Sequence, residues 1–130
     1  CLGVDHASTA NGARVKQFRC DNSRNQRWRT QGPGAGGIGL TFANLKSNLC
    51  MGVDRSSKES AANIGQHYCE AALDQTWITA GGGDSLRIMN YNSRLCIGVD
   101  RASTAGGAQV KQFRCDDKPN QKWVPIFTEV

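Results

Sequence analysis

Apolar and polar residues alternate with period two in short runs along this chain, and no 12-residue window carries a helical apolar stripe. Leu40-Thr-Phe-Ala-Asn-Leu45 and Leu86-Arg-Ile-Met-Asn-Tyr91 are the clearest such runs and predict strands. Val15-Lys-Gln-Phe-Arg-Cys20 and its two later counterparts predict another set. Between the runs lie stretches of small residues such as Ala7-Ser-Thr-Ala-Asn-Gly12, whose composition is that of turns. Short strands at regular spacing predict an all-β barrel or sandwich.

The runs belong to a repeat. Cys1 and Cys20, Cys50 and Cys69, and Cys96 and Cys115 are each nineteen residues apart, and aligning on them gives three ungapped blocks, 1–28, 50–77 and 96–123. Each block opens Cys-[Leu/Met/Ile]-Gly-Val-Asp and ends on Gln-x-Trp. Blocks one and three agree at 20 of 28 positions; the second diverges but keeps both cysteines, Gly-Val-Asp, Ser57, Gln66, Gln75 and Trp77. A unit this short cannot bury its own apolar face, so three copies imply one shared core. The expected organisation is one domain over 1–130, with repeats 1–49, 50–95 and 96–130.

Composition narrows the class. The chain has 130 residues, 38% hydrophobic and 21% charged, with 15 glycines, so the core is modest and the loops are many. No apolar run is long enough for a membrane-spanning helix, and no leader-like segment opens the chain. The start at Cys1 reads as a processed or trimmed end. Six cysteines in so small a chain fit an oxidising compartment. Their spacing favours three local disulfides, Cys1–Cys20, Cys50–Cys69 and Cys96–Cys115, over a zinc site, which needs close Cys pairs with further ligands.

The Cys…Cys…Gln-x-Trp pattern in triplicate resembles the ricin-B-type (R-type) lectin domain, also classed as a family 13 carbohydrate-binding module, and the resemblance covers almost the whole chain. It implies an all-β β-trefoil with three internal Q-x-W repeats and pseudo-three-fold symmetry. It further implies up to three shallow sugar pockets, one per repeat, usually for galactose-type sugars.

A sugar pocket combines an acid that accepts paired hydroxyls, an aromatic face for the C–H side of the ring, and an amide. The family's aromatic slot holds Phe18, His67 and Phe113, and its amide slot holds Asn25, Asp74 and Asn120. The acid slot departs from the family, holding Gly3, Gly52 and Gly98, with an aspartate two positions later in each copy. On a strand that shift returns to the same face. Asp5, Asp54 and Asp100 are therefore expected to supply the acid, with the glycines leaving space for ligand. The alternative is that these aspartates cap turns. Lys16 and Lys111, with Gly65 between them, replace a frequent family glutamine and are candidate donors to sugar hydroxyls or simply solvated. Gln26, Gln75 and Gln121 are expected to be part site and part scaffold. Trp28, Trp77 and Trp123 are expected in the core. The second repeat, with His67 and Asp74, is expected to be weaker or of different preference.

Charge is uneven: the net charge is +5, and residues 1–49 hold seven Lys or Arg against two acids. Arg14, Lys16, Arg19, Arg24, Arg27 and Arg29 could draw anionic glycans or nucleic acid, but an ordinary solvated face explains them, and no nucleic-acid-binding motif accompanies them. Gly34-Ala-Gly-Gly-Ile-Gly39 matches a dinucleotide fingerprint in letters, but precedes a strand rather than a helix, so it reads as a flexible connector. No catalytic signature is present, the repeated aspartates belong to separate arms, and neither His6 nor His67 has a recurring partner for a metal or a base. No cofactor, metal or enzymatic activity is expected.

The expected function is that of a secreted, extracellular, multivalent lectin, monomeric with up to three sites. Its ligands would be galactose-type or related 6-deoxy sugars on cell-surface or polysaccharide glycans, and it would agglutinate cells. The alternative is the carbohydrate-binding module of a secreted glycoside hydrolase. The lack of Gly/Ser/Pro linkers at either end favours the free-standing, bacterial-type lectin. Finally, the tail after Trp123 is expected to act as the strand that nothing before Cys1 provides, with Ile126 and Phe127 entering the core or closing sheet.

Overall fold

The alternating runs become strands in the computed structural model, which describes residues 1–127. Ten are formed: β1 (Leu2–Val4), β2 (Val15–Gln17), β3 (Trp28–Gln31), β4 (Thr41–Asn44), β5 (Cys50–Val53), β6 (Ile64–His67), β7 (Trp77–Ala80), β8 (Arg87–Asn90), β9 (Cys96–Val99) and β10 (Val110–Phe113). The predicted run 15–20 is shorter than expected: β2 ends at Gln17, although Phe18 N–H still donates to the Cys1 carbonyl before the chain reaches the disulfide. Sheets run β3-β4-β5-β6 and β10-β9-β8-β7, with β1-β2 as a separate hairpin.

The three hairpins share one register: Leu2 faces Gln17, Met51 faces Gln66, and Ile97 faces Gln112. They close on one another in a cycle. Gly12 N–H donates to the Gln66 carbonyl, Ala61 to Gln112, and Gly107 to Gln17, each at 2.7 Å. The side chains of the same glutamines knit the repeats together: Gln66 Nε2 donates to the carbonyls of Ser8 and Ala10, Gln112 Nε2 to Ser57 and Glu59, and Gln17 Nε2 to Ser103 and Ala105. This is the expected β-trefoil with three-fold internal symmetry.

The core repeats in layers. Val4, Val53 and Val99 form one set of equivalents, and Val15, Ile64 and Val110 another, all buried. Trp77 is fully buried in the core, and Trp28 and Trp123, partly buried, pack against it. Each indole N–H donates to a carbonyl of the strand carrying the first cysteine: Trp28 to Leu2, Trp77 to Met51, and Trp123 to Ile97. Three disulfides join Cys1–Cys20, Cys50–Cys69 and Cys96–Cys115, each with its Cα atoms 5.1 Å apart.

Two expectations fail. Ile126 and Phe127 are 68% and 91% exposed, so they fill no core. Trp123 pairs with Leu86 as Trp77 pairs with Leu40, and the described residues after it, 124–127, form no strand. Residues 128–130 of the proposed strand lie outside the described residues. The glycine-rich connector is packed rather than free: a Cβ on Gly34 would lie 2.5 Å from Thr76 Cγ2, and Ala35 N–H donates to Thr76 Oγ1.

Candidate functional site

Each hairpin ends in a turn opened by the repeated aspartate. After Asp5 the backbone turns through His6 and Ala7 at φ of 56° and 50°, and Arg55–Ser56 and Arg101–Ala102 repeat the left-handed pair. Backbone closes the turn, with Ser8 N–H donating to the Asp5 carbonyl. The Asp5 carboxylate instead reaches across the hairpin, its Oδ2 3.0 Å from Lys16 Nζ. Asp100 repeats this with Lys111 at 3.4 Å. In the second repeat Gly65 replaces the lysine, and His67 Nε2 leans over it to Asp54 Oδ1 at 3.1 Å. A Cβ on Gly65 would lie 2.9 Å from that same oxygen, so the glycine makes the histidine contact possible. All six members of these pairs are half-buried. The Lys16 ammonium, hydrogen-bonded to Asp5, holds its carboxyl below the usual carboxylate range.

In the first repeat a cavity of about 730 Å³ opens beside this pair, walled by Val4, Phe18, Asn25 and Gln26. Asn25 Nδ2 donates to the Val4 carbonyl at 3.3 Å, which fixes the amide at the hairpin's end, and Asn120 does the same to Val99 at 3.1 Å. Asp74, the buried second-repeat equivalent, has no amide to make this bond. Gly3, Gly52 and Gly98 do not leave ligand space, contrary to expectation. A Cβ on Gly3 would lie 2.9 Å from Gln26 Cγ and 3.1 Å from Phe18 Cδ2. The missing side chain is replaced by the pocket wall itself moving in.

The three Q-x-W glutamines act as scaffold. Gln26 Oε1 accepts Asp21 N–H while its Nε2 donates to the Arg19 carbonyl; Gln75 spans Glu70 and Tyr68, and Gln121 spans Asp116 and Arg114. Each therefore staples the loop after its second cysteine. Asp5 and Lys16 stand beside the first cavity rather than on its wall, whereas Asp54 lines a separate cavity of about 360 Å³ between the first two repeats, with Arg14 and Asn63.

Sequence reasoning missed Lys46, which lines the first cavity from the link between repeats. Its ammonium donates to the Ala7 carbonyl at 2.7 Å, and Asn92 Nδ2 makes the corresponding bond to Ser56 at 3.2 Å. The signal was available, since both residues stand four before the next first cysteine.

A family model described as "Ricin-type beta-trefoil lectin domain-like" matches residues 1–67, 25–112 and 73–129. Among curated proteins none matches. Among solved structures, a designed three-fold symmetric protein, ThreeFoil, is 30% identical with a TM-score of 0.88, over 95% of this chain and 87% of that one. An exo-β-1,3-galactanase from Clostridium thermocellum is 27% identical with a TM-score of 0.88, and the match spans 95% of this chain but only 26% of the galactanase. The Rhizoctonia solani agglutinin shares the fold at 20% identity, with a TM-score of 0.82 over 95% of this chain and 83% of that one. With its three-fold hairpins, its Q-x-W scaffold and a family match along its length, this chain belongs to the ricin-type β-trefoil lectin domain-like family.

Proposed function

We propose that this protein is a multivalent carbohydrate-binding lectin for galactose-type sugars, acting outside the cell on surface or polysaccharide glycans. The observation that carries the reading is the recurrence, in the first and third repeats, of one set of side chains at one place. An aspartate–lysine pair stands at the end of a hairpin, beside a half-buried phenylalanine and an asparagine that a later turn anchors to the hairpin's backbone. Phe18 and Phe113 offer the apolar face on which a pyranose ring packs. Lysine occupies one carboxylate oxygen of each aspartate and leaves the other to accept sugar hydroxyls. The galactanase relative supports a galactose-type preference. Binding without chemistry fits a site in which one acid per repeat is already tied to a cation, whereas glycosidases place two carboxylates across one cleft.

A glycan array followed by inhibition with free sugars tests the reading. Galactose-terminated glycans are expected to dominate, and galactose is expected to inhibit. An array with no sugar signal overturns it. The same match also fits a module of a larger hydrolase, since in the galactanase it spans only part of the chain.

A further inference from the structure

The first repeat's cavity is where cations without acidic partners converge. Arg19, Arg24 and Lys46 all line it and all are exposed. Among the described residues, none of the three has a carboxylate within 4.0 Å. They come from three segments: Arg19 directly after Phe18, Arg24 directly before Asn25, and Lys46 from the link to the second repeat. His6 adds a further nitrogen base to the rim. The one acid there, Asp21, is engaged by the Ser23 hydroxyl and by its backbone N–H at 3.0 Å.

The other repeats do not reproduce this ring. Tyr68, Leu73 and Asn92 stand at the three positions in the second. The third keeps Arg114 but has Pro119 for the second arginine, and its neighbouring Lys118 lies 3.8 Å from Asp116. The basic excess of residues 1–49 is thus partly focused: Arg14 lines the other cavity, while Arg19, Arg24 and Lys46 share this one.

We propose that the first repeat's pocket selects an anionic sugar, one bearing a carboxylate or sulfate next to the ring seated on Phe18. This rests on the sugar-binding reading above and names the ligand class of one of its sites. Guanidinium groups present paired donors that match the oxygens of carboxylate and sulfate. Cations on the rim of a concave wall also concentrate an anionic ligand there before contact.

The test titrates the 130-residue chain with methyl galactoside, its 6-sulfate and methyl galacturonide, following backbone amide shifts so that the occupied repeat is identified. It is repeated at high salt and with Arg19→Gln/Arg24→Gln, with the fold checked by circular dichroism. We expect both anionic sugars to bind the first repeat about tenfold more tightly than the neutral one, as two partly exposed charge contacts allow. The preference should shrink at high salt and vanish in the double variant, with neutral-sugar affinity kept. Equal affinity for all three sugars, or a preference that survives both arginine substitutions, overturns the inference and leaves the lectin reading standing. Shifts from none of the three sugars overturn the lectin reading itself.

Discussion

At the scale of single residues, each repeat closes the end of its hairpin with an Asp–cation contact. Because Lys16 lowers the Asp5 value, the folded state holds the charged form more strongly than the unfolded chain does. The associated stability is present above the unfolded carboxyl value of about 3.9 and is lost as pH falls through the lower folded value. Thermal unfolding of Asp5→Asn should therefore lose part of the wild type's decline below about pH 4. An identical acid limb in the two proteins would falsify the pairing. The second repeat offers a converse experiment: Gly65→Lys with His67→Phe restores the residues that its sister repeats carry. Calorimetric stoichiometry is expected to rise, or the weakest site to tighten. Unchanged binding would mean that Asp74, not the pair, limits that repeat. The positions of the aspartates were legible in the sequence from the repeat alone. Their partners were not, because the contact is made across the hairpin and only its register brings Lys16 to Asp5. The same blindness made Gly3 look like vacant space, when it is the side against which Phe18 and Gln26 pack.

At the scale of elements, the strands and disulfides followed from alternation and spacing, while the ties between repeats did not. Gln17, Gln66 and Gln112 read as ordinary polar strand residues, yet Gln66 and Gln112 are fully buried. Gln66 Oε1 also accepts the Ser47 hydroxyl, and Gln112 Oε1 that of Ser93, whereas no serine hydroxyl bonds Gln17 among the described residues. Removing three hydrogen bonds from a buried site costs about 3 kcal/mol, at about 1 kcal/mol each. Gln66→Ala should thus lose about 3 kcal/mol in urea unfolding, and half-buried Gln17→Ala clearly less. Equal losses would show that the hydroxyl bonds contribute nothing. The tail was misread for a related reason. Its apolar residues suited a core strand, but Ile126 and Phe127 stay exposed and the pairing with Leu86 is made by Trp123 before them. Reduction of the disulfides offers a further check. Each closes a loop near twenty residues, worth about 3 kcal/mol in the chain-entropy view, so thiol treatment should lower the unfolding temperature sharply. A transition that thiols leave unmoved would show that the trefoil packing alone sustains the fold.

At the scale of the whole molecule, three-fold symmetry would, on the proposed function, turn modest pockets into a multivalent surface. A shallow site with one aromatic face and a few hydrogen bonds binds a monosaccharide at about millimolar strength, near −4 kcal/mol. Two or three such sites on one rigid body raise avidity for a dense glycan surface by about 10²–10⁴. Cell agglutination, inhibited by millimolar galactose, is the behaviour expected of such a body. The central claim is that the aspartates of the first and third repeats hold the sugar, and calorimetry on Asp5→Ala/Asp100→Ala tests it most directly. With circular dichroism and disulfides unchanged, galactoside binding and agglutination should be lost, and Asp54→Ala alone should reduce them less. Undiminished galactoside binding by the folded double variant would contradict the account and make these aspartates partners of lysine and nothing more.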